Sequence, residues 1–392
     1  MKNRNSHSHE LPDLTDSNGD TVSGDKDKAD LLNNYFASVY TQENIDNIPS
    51  TEPTNNGTFL DHIEITYDRV HKELETLNTS KAAGPDGLHS RVLKELRTEI
   101  ATPLYTIFSK SLEESTVPHQ WRDAHIRPIF KKGKKNLPSN YRPISLTSIC
   151  CKMLERIVRH DTYKHLQNLG IISKDQHGFL EGRSCSTQLL EVMEIWTDLL
   201  DKGLPWDTIY LDFAKAFDRV PHARLIKKLE SCGVTGKVLA WIKSFLSNRR
   251  QSVAVKSSKS KWVNVTSGIP QGSVLGPLLF VVFINNLPDQ VQSFTKLFAD
   301  DTKVFRAIES VDDHLTLQAD LEKLVRWSKV WQLPFNVEKC KVLHYGKLNP
   351  EYTYTMDGQN INTSSEEKDL GVNFDTTCKV HKTHKNYTSQ GK

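Results

Sequence analysis

Two acidic centres, each at the end of a β-rich apolar run, constrain the fold of this 392-residue chain most strongly. In residues 208–220 (TIYLDFAKAFDRV) the apolar run ends at Asp212, and the chain then turns toward a helical pattern. In residues 295–305 (TKLFADDTKVF) two strand-like runs flank a polar centre, which predicts a hairpin turn at Asp300 and Asp301. Helical and strand-like patterns alternate irregularly elsewhere. We therefore expect an α+β fold with an antiparallel sheet rather than a Rossmann or barrel fold.

The two centres also carry the strongest chemical signal. Adjacent carboxylates between hydrophobic strands repel each other, and a bound cation is the simplest compensation. Mg²⁺ prefers a few carboxylate oxygens together with substrate phosphates, and a two-metal site holds ions roughly 3.5–4 Å apart. Taken alone, an Asp-Asp pair is most often a solvated turn, and Asp212 is compatible with a helix N-cap. The shared position at strand ends favours metal binding.

A local basic cluster says more about possible partners than the net charge of only +3 does. The cluster consists of Arg122, Arg127, Lys131, Lys132, Lys134, Lys135 and Arg142. It is the best candidate for phosphate contacts, and a solvated basic loop is the alternative. The apolar, strand-like surroundings of Arg127 and Arg142 favour the phosphate contacts.

Composition divides the chain into a polar beginning and a globular middle. Residues 1–58 predict loop or disorder, apart from one helical pattern over Lys26–Tyr40. The composition is globular from Ile63 to about Gly346, and the first thirty residues contain no apolar signal-peptide core. The longest apolar run, Val274–Ile284, is about half a membrane span and is expected to be a buried core segment. These features indicate a soluble, intracellular protein.

The periodicity of apolar residues locates the secondary structure. Helical patterns are predicted over Ser90–Ser115, Lys152–Leu169, Ser186–Lys202, His222–Ser231, Lys237–Ser247 and Leu315–Trp331. Strand-like runs are Trp206–Phe213, Gln251–Val255, Trp262–Val265 and the two sides of Asp300.

The six cysteines have no C-x-x-C spacing, which favours reduced intracellular thiols. Cys378 lies near His381 and His384 in the polar tail. These three residues do not supply the four ligands of a closed structural zinc site, so we do not expect zinc there.

The motifs, taken in order, resemble the catalytic core of reverse transcriptases from jockey-like non-LTR retrotransposons. The central blocks are LDFAKAFDRV, SGIPQGSVLGPLLF and LFADDT. The other blocks are LNNYFASVYTQE (32–43), AAGPDGLHSRVLKEL (82–96), WRDAHIRPIFKKG (121–133), NYRPISLTS (140–148), QHGFLEGRSCSTQ (176–188), LPFNVEKCKVLHYG (333–346) and DLGVNFD (369–375). Each block is moderately specific, whereas the shared order is highly specific.

The resemblance implies a right-hand polymerase, with an α+β palm whose antiparallel sheet carries the aspartates, fingers and a partial thumb. The implied divisions are residues 1–58 as an extension or linker upstream of the polymerase, 59–205 as fingers with part of the palm, 206–346 as the palm with the catalytic motifs, and 347–392 as palm edge, thumb remnant and polar tail.

The implied activity is RNA-directed DNA synthesis, with an RNA template, a DNA primer and dNTPs as partners. Asp212, Asp300 and Asp301 would hold two Mg²⁺ ions, with Mn²⁺ as a substitute, for in-line phosphoryl transfer to the primer 3′-hydroxyl. The family primes DNA synthesis at a nicked chromosomal site, which implies a nuclear location. No membrane partner is implied, and the oligomeric state is left open.

Further residues acquire roles only through the resemblance. The backbone at Phe213 and Ala214 would approach the triphosphate. Phe217 would exclude a ribose 2′-hydroxyl by steric contact, and core packing is the alternative role for its ring. The other implied nucleotide-binding residues are Gln271, Gly272, Arg142, Lys131 and Lys339, with Lys339 as a proton donor to pyrophosphate, and the implied template or primer contacts are Arg127 and Arg183. The segment SGIPQGSVLGP lacks the Gly-Lys-Ser/Thr ending of a phosphate-binding P-loop.

Two departures from the family pattern predict a truncated or frame-shifted copy with weak activity. No endonuclease is recognisable, and after DLGVNFD the chain continues as the polar TTCKVHKTHKNYTSQGK instead of long amphipathic helices. The alternatives are an inactive remnant that only binds nucleic acid and an unstable product without a role.

Overall fold

The structure is a computed structural model that describes residues 11–377 and 380–381. Within these residues the helices are α1 (Asp25–Ser38), α2 (Tyr67–Glu75), α3 (Ser90–Glu95), α4 (Arg97–Glu113), α5 (His119–Arg122), α6 (Ile149–Asn168), α7 (Cys185–Asp201), α8 (Ala216–Arg219), α9 (His222–Ser231), α10 (Gly236–Leu246), α11 (Gly276–Ile284) and α12 (Val311–Trp331). The strands are β1 (Leu14–Thr15), β2 (Thr21–Val22), β3 (Asp123–Phe130), β4 (Tyr141–Leu146), β5 (Trp206–Leu211), β6 (Arg249–Val255), β7 (Ser258–Lys259), β8 (Val263–Val265), β9 (Phe294–Phe298), β10 (Asp301–Ala307), β11 (Lys341–Tyr345), β12 (Thr355–Met356), β13 (Gln359–Asn360), β14 (Asn362–Thr363), β15 (Glu366–Asp369), β16 (Val372–Asp375) and β17 (Val380–His381).

Every helix and strand predicted from periodicity is confirmed, with one difference. The single helix expected over Ser90–Ser115 is two helices, α3 and α4, which meet at Leu96. The mixture of helices and largely antiparallel sheets confirms the α+β class. The strand-like surroundings of Arg127 and Arg142 are β3 and β4, whose bounds were not predicted because prolines weaken a strand pattern. In the structure Pro128 faces Pro143 across this pair, beyond the part of β3 that pairs with β6.

The chain divides into two compact units. Unit 1 comprises the residues up to Ile45, Thr51–Leu169 and Phe217–Gly276; unit 2 comprises Asp46–Ser50, Gly170–Ala216 and the residues from Pro277 onward. The main sheet of unit 1 has the order β4-β3-β6-β7, and β8 also pairs with β6, at residues 249–251. Its strands β3 and β4 are antiparallel, whereas β3 and β6 are parallel.

The helix predicted near the N-terminus is part of the core of unit 1. Leu32 and Phe36 of α1 are buried and belong to one hydrophobic cluster with Ala124, Ile126 and Val253 of the sheet. The flanking residues 11–24 and 39–58, predicted as loop or disorder, are mostly irregular, and residues 1–10 of the same prediction lie outside the described residues. The fully buried Leu14 nevertheless belongs to the same cluster. Apolar burial rather than helix propensity therefore holds this segment in place.

Unit 2 contains a five-stranded sheet in the order β14-β11-β5-β10-β9. Strand β5 pairs antiparallel with both β10 and β11, which makes it the central strand. A cluster of aromatic side chains packs around this sheet, including Trp196, Trp206, Phe305, Tyr345 and Phe374. Trp206 and Tyr345 stack with ring centroids 4.7 Å apart. This packing covers the Trp206 end of the sheet, where Trp206 pairs with Ala307 and Tyr345.

The apolar run that includes α11 is a buried segment, as predicted, since Leu278 through Ile284 are each at most 4% exposed. No helix in the described part of the chain is long and apolar enough to cross a membrane. The polar tail with Cys378, His381 and His384, for which a zinc site was not expected, lies outside the residues whose side chains the structure describes.

Candidate active site

The two acidic centres of the sequence meet at one end of the sheet in unit 2. Thr302 pairs with Leu211 in adjacent antiparallel strands. Asp301, which precedes Thr302, and Asp212, which follows Leu211, therefore lie at the same end of the sheet. The β9–β10 hairpin is closed by Phe298 opposite Asp301, with Asp300 in its two-residue turn. The predicted hairpin at these aspartates is confirmed.

A cavity of about 120 Å³ lies at this end of the sheet and is also lined by residues of the β15–β16 hairpin. The ionisable residues that line it are Asp212, Asp301, Lys303, Lys339, Glu367, Lys368 and Asp369. Asp300 is not among the residues that line the cavity. The structure thus brings together two of the three predicted carboxylates and places Lys339 beside them.

Lys339 is the cation next to Asp212, with its Nζ 3.3 Å from Oδ2. Both side chains are substantially exposed, at 52% and 37%, so water screens the pair and its contribution to stability is at most about 1 kcal/mol. The backbone is held more firmly, because the Asn336 amide donates to the Asp212 carbonyl at 2.7 Å. The ammonium group is accordingly free to exchange partners without unfolding the strand.

Lys303 and Asp369 form a buried ion pair at the same cavity. Lys303 lies two residues after Asp301, and therefore on the same face of β10. Asp369 ends β15, so the pair joins the β15–β16 hairpin to the strand that carries Asp301. Burial lowers the pKa of the Lys303 ammonium, and the Asp369 carboxylate opposes this shift.

The donor set at this end of the sheet fits a hard divalent cation. In the described residues no group of three or more His, Cys, Asp or Glu side chains is already assembled around one point. Such an assembly is not required for Mg²⁺, which is usually held by one or two carboxylates, water and substrate phosphates. Asp212 and Asp301 supply carboxylate oxygens on one cavity, and no soft sulfur ligand lines it.

The two residues after Asp212 are held by the 333–336 segment. The Phe213 ring is buried and stacks on Phe335 at 4.3 Å between centroids, and the Ala214 amide donates to the Pro334 carbonyl at 2.9 Å. The Phe213 side chain therefore has a packing role.

The glycine-rich segment of unit 1 is a close-packed loop. The side-chain amide of Gln271 donates to Asp218 Oδ1 at 2.8 Å, and the backbone carbonyl of Gln271 accepts from the Ser145 amide at 2.7 Å. Gly272 has φ +113°, and a Cβ added there would lie 2.8 Å from the Ser145 carbonyl oxygen. Only glycine fits this position. The half-buried Phe217, whose carbonyl accepts from the Ile269 amide, also lies in this unit.

The predicted basic cluster includes an exposed face on β3 and β4. Ile129 pairs with Arg142, and Arg127 lies two residues before Ile129 on the same face. Both arginines are exposed, and Lys131 follows the strand in an exposed loop. A mostly apolar cavity of about 630 Å³ adjoins this region and is lined by Arg127, Phe130, Lys135, Tyr141 and Lys256, among others.

Arg183 serves its own loop in unit 2. One guanidinium nitrogen, Nη1, donates to the carbonyls of Ser173, Lys174 and Gln176 at 3.3, 2.6 and 2.5 Å. The resemblance implied a template contact for this residue, and the structure adds a local structural role.

Comparison with known proteins decides the family. The family model described as "Reverse transcriptase (RNA-dependent DNA polymerase)" matches residues 129–374, well over half of the chain. This chain is a member of the reverse transcriptase family.

Similar curated proteins come from mobile elements. The RNA-directed DNA polymerase from mobile element jockey of Drosophila funebris is 31% identical over 79% of this chain and 35% of its own length. The probable RNA-directed DNA polymerases from transposon BS and transposon X-element of Drosophila melanogaster are 27% and 28% identical over 91% and 83% of this chain. This reverse transcriptase chain spans 35% to 41% of the length of these relatives.

Sequence reasoning missed Lys303 and Asp369, which both line the carboxylate cavity. It also missed Asp218, which accepts a hydrogen bond from the Gln271 side chain in unit 1. The alternation of side chains along a strand is the signal that could have identified Lys303, because it places Lys303 on the same face as Asp301. No comparable local signal identified Asp369, because its partner lies 66 residues away in the sequence.

Proposed function

We propose that this chain is the RNA-directed DNA polymerase part of a non-LTR retrotransposon protein, which adds deoxynucleotides to a primer 3′-hydroxyl. The observation that carries the proposal is the pairing of β5 with β10, which brings Asp212 and Asp301 to one cavity in a member of the reverse transcriptase family. The proposed partners are an RNA template, a DNA primer and dNTPs, and the proposed workplace is the nucleus.

The proposal includes the right-hand architecture. Unit 2 has the central antiparallel strands expected of a palm, with β5 and β10 carrying the aspartates. The divisions proposed from the sequence are an upstream extension (1–58), fingers with part of the palm (59–205), palm (206–346) and palm edge with a thumb remnant (347–392).

Asp212, Asp300 and Asp301 are the proposed ligands of two Mg²⁺ ions, with Mn²⁺ as a substitute. The ions supply charge stabilisation at the attacking and leaving oxygens during in-line displacement. The side chains of Asp212 and Asp301 present oxygens to the shared cavity, and Asp300 extends the acidic surface at the turn. The Lys339 ammonium beside Asp212 is the proposed proton donor to pyrophosphate, a role worth about 10²–10⁴ in rate.

The proposed contacts of the incoming nucleotide follow from the family resemblance. They are the backbone of Phe213 and Ala214, the Gln271 amide, Gly272, Arg142 and Lys131, and the proposed contacts of the template or primer are Arg127 and Arg183. Asp218 supports this assignment for Gln271, because it holds the Gln271 amide group in one orientation.

Replacing Phe217 with Val is expected to lower the preference for dNTPs over rNTPs by about 10- to 100-fold, because the smaller side chain leaves room for a 2′-hydroxyl. The measurement is kcat/KM for dTTP and for UTP on the same primer–template. The control is Phe59→Val, an exposed phenylalanine in the same unit. An unchanged ratio in Phe217→Val would leave core packing as the role of this ring.

Replacing Arg142 with Ala, or Arg127 with Ala, is expected to weaken primer–template binding and to make it less dependent on salt. Each lost phosphate contact reduces the slope of log K against log salt by about 0.9. Fluorescence anisotropy at salt concentrations from about 50 to about 200 mM measures this slope. Lys164→Ala removes an exposed charge on α6 and is the control. Equal slopes for all variants would exclude this face of β3 and β4 as a phosphate contact.

The function is tested by primer extension on poly(rA)/oligo(dT) with Mg²⁺ or Mn²⁺, using the folded, purified chain. Extension that requires the divalent cation is the expected result. Retained binding of the primer–template without any extension would overturn the polymerase proposal and leave nucleic-acid binding as the function.

A further inference from the structure

A short segment before α7 runs along the edge of the catalytic hairpin. The Leu297 amide donates to the Asp175 carbonyl at 2.9 Å, and the His177 amide donates to the Leu297 carbonyl at 2.8 Å. Gln176 thereby forms a parallel bridge with Leu297 of β9. The segment ends beside the turn that carries Asp300.

The side chain of Gln176 binds the backbone of that turn. It is 1% exposed, and its Oε1 accepts hydrogen bonds from the Ala299 amide at 2.9 Å and from the Gly178 amide at 2.7 Å. Ala299 is the first residue of the turn and has φ +54°, a left-handed conformation that is unfavourable for a residue with a side chain. A buried hydrogen bond to its amide helps to maintain this conformation.

Gly178 makes a second close approach to the same turn. A Cβ added at Gly178 would lie 2.2 Å from the Ala299 nitrogen and 2.9 Å from the Phe298 carbonyl carbon. The need for glycine here is spatial, since two backbones lie in contact without an intervening side chain. Two independent features of one short segment therefore meet at the turn.

We infer that Gln176 is a positioning residue, whose side-chain oxygen fixes the turn at Ala299 and thereby places Asp300 and Asp301. Its influence on catalysis rests on the proposed polymerase function, whereas its influence on the turn does not. The segment has other anchors, because Lys296 Nζ also binds Asp175 Oδ1 at 2.8 Å. Removing the Gln176 acceptor should therefore loosen the turn without releasing the segment.

Gln176→Met tests this role, because methionine keeps the length of the side chain and removes the acceptor. Gln188→Met is the matched control: Gln188 is fully buried in the same unit, and neither polar atom of its side chain has a hydrogen-bond partner. Hydrogen exchange at the Ala299 amide should become roughly 10- to 100-fold faster in Gln176→Met. It should change by less than about threefold in Gln188→Met.

Kinetics and metal titration give the second readout. In Gln176→Met we expect kcat to fall by about 10- to 100-fold and the half-saturating Mg²⁺ concentration to rise, with KM for dTTP near the wild-type value. Gln176→Glu keeps an acceptor oxygen and should restore part of both the amide protection and kcat.

The possible failures are distinguishable. Unchanged Ala299 exchange in Gln176→Met would overturn the inference, and so would equal changes in the two methionine variants, because packing alone would explain them. A wild-type chain that extends no primer would sink the proposed function, while the exchange of Ala299 would still decide whether Gln176 holds the turn.

Discussion

Asp300→Asn is expected to lower primer extension by at least about 10³-fold, since a metal ion contributes several kcal/mol of transition-state stabilisation and an amide is a weak ligand for Mg²⁺. Asparagine has nearly the same shape as aspartate, so the β9–β10 hairpin should keep its register. Neutralising one of two adjacent carboxylates also removes repulsion within the turn. Activity should therefore be lost without loss of the fold, and Asp212→Asn and Asp301→Asn should behave alike.

The measurement is single-turnover extension of a labelled primer, together with thermal unfolding followed by circular dichroism. Asp312→Asn is the matched control, because Asp312 is an exposed aspartate at the start of α12 in the same unit. It should extend primers at the wild-type rate. Extension by Asp300→Asn within tenfold of the wild type would exclude this carboxylate as a metal ligand.

Asp207→Ala is expected to lower the free energy of unfolding by about 3–5 kcal/mol, because it leaves several buried polar groups without their partner. Asp207 is fully buried near the start of β5. It accepts from Tyr354 Oη at 2.6 Å and from Asn349 Nδ2 at 2.8 Å, and it pairs with His344 Nδ1 at 2.7 Å. Burial and the Asp207 carboxylate both raise the pKa of Tyr354, so its hydroxyl stays protonated and remains a donor.

Urea unfolding of the wild type and the variant measures this loss. The control is Asp198→Ala, which removes the exposed partner of Lys202 on α7 and should change the unfolding free energy by less than about 1 kcal/mol. Asp207→Asn keeps one acceptor and should give an intermediate value. If Asp207→Ala were as stable as the control, the network would not contribute to the packing of residues 349–354 on β5.

Local patterns predicted most of the secondary structure of this chain. The hairpin at Asp300 was visible because two apolar runs flank a polar pair, and α12 was visible because Leu317, Leu321 and Leu324 repeat at helical spacing. The strand-like character around Arg127 and Arg142 was visible, but the bounds and pairing of β3 and β4 were missed because Pro128 and Pro143 interrupt the strand pattern. Those prolines are compatible with the sheet only because they face each other at its edge, which no local window contains.

The residues of the candidate site likewise fall into those that local sequence patterns predicted and those that only the structure identified. The aspartates were found because each lies next to the end or the start of an apolar strand pattern, a property of about ten neighbouring residues. Gln176, which binds a turn 123 residues later, had no such signal. The partnership of Lys303 with Asp369 was likewise invisible, because buried ion pairs between distant residues leave no periodicity in the sequence.

By itself, the sequence determined the class of the protein, its catalytic candidates and the positions of many of its helices and strands, because these depend on short-range spacing and on motifs. Tertiary structure alone decided which strands pair, that Asp212 and Asp301 share a cavity with Asp369, and that Gln176 binds the amide of Ala299 in the β9–β10 turn. The physical reason is that strand register and buried polar contacts depend on residues far apart along the chain, which only packing brings together.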